Sequence, residues 1–186
     1  MLETISRFKY DVFLVANSQL QVQKYINEID YKKISAFIVD DYDDSFNQKS
    51  SSPLIGLYTA FKELQKLDYK KVFVFSCDIP LVKFEVIEYI INNCEGFDCC
   101  IPKWMKNNNF LEPLLAIYPI DKAYETSKRN ITQNQYKLTR IISPDWKTNY
   151  IPIETKIKTI DSKLISFKNI NNPEDIKVLE LLLNKT

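Results

Sequence analysis

Asp78 ends a short apolar run, Lys71 to Ser76 (KVFVFS), standing after Cys77 and ahead of Ile79-Pro80-Leu81. A carboxylate at the mouth of a buried strand is where a magnesium–phosphate complex can be held, because Mg²⁺ is a hard cation that prefers oxygen ligands. The same residue also suits an ordinary turn, since Asp ahead of Pro is frequent turn chemistry. A second acidic group, Asp40, Asp41, Asp43 and Asp44, follows the apolar run Ser35 to Val39. Asp41 is the candidate there for a nucleotide or metal site, and the other carboxylates read as a solvated loop. Asn17 ends the run Asp11 to Ala16 and is either a helix cap or a group that recognises a base or ribose. Lys103 and Lys106 with Asn107, Asn108 and Asn109 form a basic, amide-rich loop flanked by Trp104 and Phe110. It reads as an exposed turn or as an anion cradle for a phosphorylated substrate.

Composition removes several other chemistries. The 186 residues contain no histidine and two glycines, Gly56 and Gly96. Ser-His and Cys-His triads, His-ligated zinc and imidazole acid–base catalysis are excluded. So are a G-x-G-x-x-G dinucleotide turn and a Walker-type phosphate loop. Cys77, Cys94, Cys99 and Cys100 have no C-x-x-C spacing, and adjacent Cys99 and Cys100 would face opposite sides of a strand as packing residues. The net charge of +1 supplies no basic field for nucleic acid. No apolar run is long enough to cross a bilayer and no signal peptide opens the chain, so a cytoplasmic protein is expected.

The elements that must position these residues alternate between strand and helix. Leu2, Ile5 and Phe8 have helical spacing. Asp11 to Ala16, Ser35 to Val39 and Lys71 to Ser76 are continuous apolar runs, as buried parallel strands require. Helices are expected over Leu20 to Ile29, Leu54 to Leu67 and Phe84 to Asn92. Later strands are expected over Asp98 to Pro102, Glu112 to Tyr118, Tyr150 to Ile153 and Leu164 to Phe167, with helices over Ile120 to Lys128 and Gln135 to Ile142. Asn172-Pro173-Glu174-Asp175 opens a last helix, with Asn172 as N-cap. The pattern implies a three-layer α/β fold with a mainly parallel sheet, spanning residues 1–186 as one domain. Ligands of such sheets bind beyond the carboxyl ends of the strands, which selects Asn17, the Asp40–Asp44 loop and Cys77-Asp78.

Four elements in order resemble the molybdenum cofactor guanylyltransferase family. Ser52-Pro53-Leu54-Ile55-Gly56-Leu57 is similar to its G-P-L-x-G-[LM] helix entry, and Ser76-Cys77-Asp78-Ile79-Pro80 to its C-D-x-P element. Glu112 to Tyr118 resembles its P-L-x-x-x-Y strand, and Phe167 to Asp175 its F-x-N-[VI]-N-[TD]-P-E-[ED] element. The resemblance implies a Rossmann-like nucleotidyltransferase that joins GMP from GTP to molybdopterin with Mg²⁺. It implies Asp78 as the magnesium ligand and a GTP-binding group, and Asp41, or Asp40 if the loop shifts the alignment, near the nucleotide. Asn17 would bind nucleotide, Asn171 would lie near the metal with Asn169 in support, and Lys103 would face the substrate.

The chain departs from the family pattern at its start. The glycine-rich L-A-G-G-x-S-x-R-M-G-x-D-K segment has no counterpart, and Met1 to Ile5 aligns with the helix that follows it, one βα unit late. Ser52 replaces the first glycine of G-P-L, and Glu112 replaces a polar residue. Without the first strand, its neighbours should be left with unpaired edges or a wide apolar groove. Weak GTP binding and little turnover are expected for these residues alone. The gap admits three explanations: a sequence that starts late in a longer protein, a partner chain or second copy, as in a homo-oligomer, that covers it, and a relative that no longer catalyses the transfer. The alternative functions are a non-catalytic binding or partner subunit and a nucleotidyltransferase for another nucleoside triphosphate or acceptor.

Overall fold

The computed structural model describes residues 1–40, 52–106, 108–172 and 174–177. Asp41, Asp43, Asp44 and Asn107 lie outside the described residues. A short opening helix α1 (Leu2–Ser6) precedes strand β1 (Phe13–Ala16), helix α2 (Gln19–Glu28) and strand β2 (Ala36–Val39). Next come helix α3 (Pro53–Lys66), strand β3 (Lys71–Phe75), helix α4 (Phe84–Asn92) and strand β4 (Cys99–Lys103). Strand β5 (Leu115–Pro119), helix α5 (Ile120–Thr132) and strand β6 (Thr148–Pro152) follow.

The strands form two sheets. β1 and β2 pair in parallel, and a four-stranded sheet has the order β3-β5-β4-β6. β5 is antiparallel to both β3 and β4, whereas β6 is parallel to β4, so β5 alone is reversed in that sheet. Helices α3 and α5 cover one face. Leu54, Phe61, Cys99, Tyr118 and Ala123 meet there, and Leu54 and Phe61 are fully buried. On the other face α4 supplies Val86, Ile87 and Ile90 against Cys100, Ile117 and Ile151. Each such large apolar side chain contributes roughly 1.5–3 kcal/mol on burial. Cys99 and Cys100 thus pack in opposite layers, as adjacent strand residues must.

Helix α3 starts where its residues dictate. Ser52 is the N-cap, its side chain accepting a hydrogen bond from the Leu54 amide at 3.3 Å, and Pro53 sits in the first turn where no intrahelical N–H is missed. Ser18 caps α2 in the same way through the Gln21 amide.

Two expected elements are absent. Gln135 to Ile142 holds only a 3₁₀ turn at Leu138–Ile141, because the Asn130 side chain donates to the Arg140 carbonyl and pins the segment against α5. Leu164 to Phe167 is not a strand but a 3₁₀ turn at Ile165–Phe167, entered through Leu164 at a left-handed φ of 51°. Residues 174–177 are helical, and the Asn172 side chain accepts from the Asp175 amide at 3.0 Å, which bears out the expected cap.

Among the described residues the two sheets do not join. The starts of β1 and β3 lie together, since Tyr69, just before β3, donates a hydrogen bond to Asp11 and stacks edge-on against Phe13 at the start of β1. Between them lies a cavity of about 790 Å³ bounded by both strand edges and by α3. Among the described residues the gap expected from the departure at the chain's start is present as a largely apolar slot between two strand edges that no described strand pairs.

Candidate active site

Asp78 lies just past β3, partly buried, with its Oδ1 buried and without a hydrogen-bond partner. A buried, unpartnered carboxylate oxygen is costly unless a ligand satisfies it. Its backbone carbonyl accepts a 2.7 Å hydrogen bond from the Ile170 amide. That bond brings the Asn169–Asn171 segment, remote in sequence, against the end of β3.

The segment reaches Asp78 because Asp161 anchors it. Asp161 is fully buried, accepts from the Ser166 amide at 2.8 Å and pairs with Lys83 at 3.2 Å. The Ser166 hydroxyl in turn accepts from the Lys83 amide, so the turn is clamped to the start of α4. Burial pushes the Asp161 carboxyl up, but the bonds from Ser166 and Lys83 outweigh it and hold the group below the ordinary carboxylate value.

Glu112 is the site residue that sequence reasoning did not single out. Burial raises its pKa, the Trp104 indole opposes that by donating at 2.5 Å to Oε1, and the Asp78 charge raises it further. Glu112 and Asp78 thus form a pair of carboxylates at the end of the β3-β5 ladder. The signal available in sequence was a lone acid within Phe110 to Pro119, an otherwise apolar stretch apart from Tyr118 and the two prolines.

Asp40 is the second buried carboxylate with an unpartnered Oδ1, and burial raises its pKa. It lies over Gly56, where an added Cβ would stand 3.3 Å from Asp40 Oδ1 and 3.5 Å from Val15 Cγ1. Gly56 therefore leaves Asp40 room to approach closely. Gly56 and Cys77 line the same cavity, so Asp40, against the one, and Asp78, following the other, flank it. Asp41, the preferred aspartate of that loop, lies outside the described residues.

The other candidates are placed as follows. Asn17 is exposed, its amide donates to Gln21 Oε1 at 2.7 Å and its side-chain oxygen accepts from Ser18 at 3.0 Å, a turn ahead of α2. Asn169 and Asn171 are exposed beside Asp78, and the Asn171 amide donates to Asp175 at 2.8 Å. Lys103 ends β4 with its ammonium 5.2 Å from the Tyr150 ring centroid. The loop after it does cradle an anion, but that anion is the chain's own Glu154, which accepts from the Met105 and Lys106 amides at 3.0 and 2.9 Å. Those two bonds hold the Glu154 pKa below its ordinary value.

Among the described residues no three acidic, cysteine or histidine side chains cluster to hold a metal. Mg²⁺ does not require such a cluster, because it commonly takes one or two protein carboxylates and leaves its other positions to water and phosphate.

The MobA-like NTP transferase domain pattern matches residues 1–145. The chain belongs to the MobA-like NTP transferase family. It is 28% identical over its whole length to the Natranaerobius thermophilus protein named "Probable molybdenum cofactor guanylyltransferase", spanning 82% of that protein. It is 26% identical over 96% of its length to the molybdenum cofactor guanylyltransferase of Desulfosudis oleivorans, spanning 77% of it. Of the Methanosarcina acetivorans relative the chain spans only 56% of the length, at 25% identity over 70% of its own. The crystal structure of molybdopterin-guanine dinucleotide biosynthesis protein A from Archaeoglobus fulgidus superposes with a TM-score of 0.72 at 27% identity, over 100% of this chain and 86% of that one. The family member thus carries the nucleotidyltransferase-like α/β fold. Among its described residues no helix is long and apolar enough to cross a membrane.

Proposed function

We propose that residues 1–186 act as one nucleotidyltransferase-like domain, a molybdenum cofactor guanylyltransferase that transfers GMP from GTP to molybdopterin. The observation that carries this reading is the buried, unpartnered Oδ1 of Asp78 in the position of the C-D-x-P aspartate. Its support from relatives is that proteins aligned over nearly the full chain bear that name.

The donor set fits a hard divalent cation. Asp78 would hold Mg²⁺, with Asn171 beside it and Glu112 as the nearby second carboxylate. When bound, the ion would supply charge neutralisation to the phosphoryl group. The chain's own work is then orientation. The Ile170–Asp78 bond fixes the carboxylate-bearing turn, Asp161 and Lys83 hold the segment carrying Asn169 and Asn171, and Asp40 flanks the nucleotide side over Gly56. Asp41 and Asn17 are proposed to contact the nucleotide, and Lys103 the acceptor. None of these roles needs the histidine that the chain lacks.

One observation favours the second reading, a non-catalytic subunit of the same fold. The amides best placed to cradle a phosphate after β4 are taken by Glu154. Titration calorimetry with GTP and Mg²⁺ decides between the two. The enzyme reading expects magnesium-dependent GTP binding that Asp78→Ala weakens at least about tenfold, or roughly 1.4 kcal/mol. Binding indifferent to both Mg²⁺ and Asp78→Ala, or none at all, overturns it.

A further inference from the structure

We infer that the turn after β4 is a phosphomonoester-binding nest that Glu154 plugs, so that the phosphate of the acceptor must displace this carboxylate to enter. The inference deepens the guanylyltransferase reading and rests on it for the molecule that brings the phosphate. The observation is the convergence of two successive backbone donors on one anion. The Met105 and Lys106 amides meet the Glu154 carboxylate at 3.0 and 2.9 Å, one to each oxygen. Successive amides aimed at one point make an anion-binding concavity. Here the chain itself supplies the anion.

Other bonds shape the turn, and the Glu154 side chain fills it. The Trp104 amide donates to the Phe110 carbonyl at 2.8 Å, Lys103 bridges Leu111 in antiparallel register, and the Glu112 amide donates to the Pro102 carbonyl at 3.0 Å. The Ile153 amide ties the turn after β6 to the Lys103 carbonyl at 3.0 Å, which brings Glu154 alongside. Met105 and Lys106 are exposed and Glu154 is partly so, and a released carboxylate has water to solvate it. A phosphate dianion carries more charge than a carboxylate and more acceptor oxygens, so it competes for the same two donors. The Lys106 charge, which already helps to hold the Glu154 pKa down, favours either anion.

The nest adjoins the candidate active site. Trp104, the residue before Met105, donates its indole N–H to Glu112 and meets Phe167 edge-on, with 5.6 Å between ring centroids. Glu112 in turn is the carboxylate that feels the Asp78 charge. The turn belongs to β4 and β6, which β5 and β3 separate from β1 and β2, the strands whose ends carry the groups proposed for the nucleotide. The nest is thus an outer station on the acceptor side.

The test uses the whole 186-residue chain, isotope-labelled for amide NMR, with inorganic phosphate as the probe and sodium chloride to match ionic strength. Phosphate is expected to shift the Met105 and Lys106 amides and to bind Glu154→Ala at least about tenfold more tightly than the parent. Glu154→Gln should fall between the two, because its carboxamide keeps one acceptor oxygen without the charge. Equal affinity in the parent and Glu154→Ala, or shifts at surface lysines that spare these two amides, overturns the proposal. Loss of the Trp104–Phe110 and Glu112–Pro102 bonds in Glu154→Ala, read as faster amide exchange, makes the carboxylate a brace and also overturns it. GTP with Mg²⁺ added to Glu154→Ala is expected to leave both amides unshifted, and a shift there overturns the assignment to the acceptor in favour of the triphosphate. Phosphate binding is read without nucleotide, so it fails or stands apart from Asp78-dependent GTP binding.

Discussion

The amide of Ile170 donates a 2.7 Å hydrogen bond to the carbonyl of Asp78, joining the Asn169–Asn171 segment to the strand end that carries the candidate metal ligand. The bond uses backbone alone, so the Asp78 side chain stays free, with Oδ1 buried and unpartnered. A carboxylate kept in this state costs the folded chain stability unless a ligand satisfies it. Stability and function should consequently separate at this residue.

Asp78→Asn keeps the shape of the side chain and removes its charge. Leaving a buried polar group unsatisfied costs about 1–3 kcal/mol, and the variant escapes the charged part of that cost. Its melting temperature is expected to equal or exceed that of the parent, while magnesium-dependent GTP binding falls at least about tenfold. Thermal melts and calorimetry on one preparation check both. A variant that melts well below the parent would mean that Asp78 is a structural residue.

The strand–helix alternation up to Asn92 was legible because buried parallel strands are continuous apolar runs and α3 and α4 are amphipathic. The reversal of β5 was not legible, since Leu115 to Pro119 states a strand but not its direction, which tertiary pairing with Phe73 and Cys100 decides. Leu138, Ile141 and Ile142 imitate helical spacing, yet the Asn130 side chain holds that segment to a single 3₁₀ turn. Within the site, Asp78 was visible as a carboxylate after an apolar run. Glu112 was not, because its meaning depends on Trp104 and Asp78 arriving beside it through the fold.

Asp161 should be the most costly charge to lose. It is fully buried and its partner Lys83 keeps 34% of its side chain exposed, so removing the carboxylate strands both Ser166 and Lys83. Asp161→Ala is expected to destabilise by about 3 kcal/mol, as broken buried pairs do. Lys83→Met, which loses the better-solvated partner, should cost less. Denaturant titrations of the two variants give the ranking, and the reverse order would contradict the anchoring role.

The two kinds of buried carboxylate give opposite pH signatures. Asp161 is held below its ordinary value, so its stabilisation is present above about pH 4 and is lost as pH falls through the folded pKa. Asp40 is raised by burial, so the folded chain binds its proton more readily and loses stability as pH rises above about 4. Asp40→Asn is therefore expected to raise the melting temperature at pH 7 and to change nothing at pH 3. Asp161→Asn should lower it at pH 7, with a shrinking difference toward acid. Melts of both variants across that range check the signs.

Gly56→Ala sets a helix gain against a crowded carboxylate. Replacing a helical glycine by alanine is worth up to about 1 kcal/mol, less in the first turn where Gly56 stands, but the new Cβ would lie 3.3 Å from Asp40 Oδ1. The carboxylate has no hydrogen bond on that oxygen to lose, so it can give way by a few tenths of an ångström. The variant is expected to be as stable as the parent or slightly more so, with weaker nucleotide binding because Asp40 has moved. Chemical denaturation alongside GTP titration checks this, and a loss above about 1 kcal/mol would show that Asp40 is fixed in place.

Cysteine labelling offers a local report on the Asp78 turn. Cys94 is held below the ordinary thiol value by the Cys100 thiol and Lys71, against its own burial, which makes it the more thiolate-rich group. Reactivity also needs access, and Cys94 is only 5% exposed while Cys99 and Cys100 are fully buried. Cys77 is exposed. Access should decide, because a thiolate that reagent cannot reach does not react. Iodoacetamide at pH 8.5 is expected to label Cys77 first, with the other three following at the rate of local opening. Because Cys77 adjoins Asp78, GTP with Mg²⁺ should slow its labelling in the parent and leave it unchanged in Asp78→Asn. Peptide mapping by mass spectrometry identifies the labelled site. Faster labelling at Cys94 than at Cys77 would mean that the slot beside it opens widely in solution.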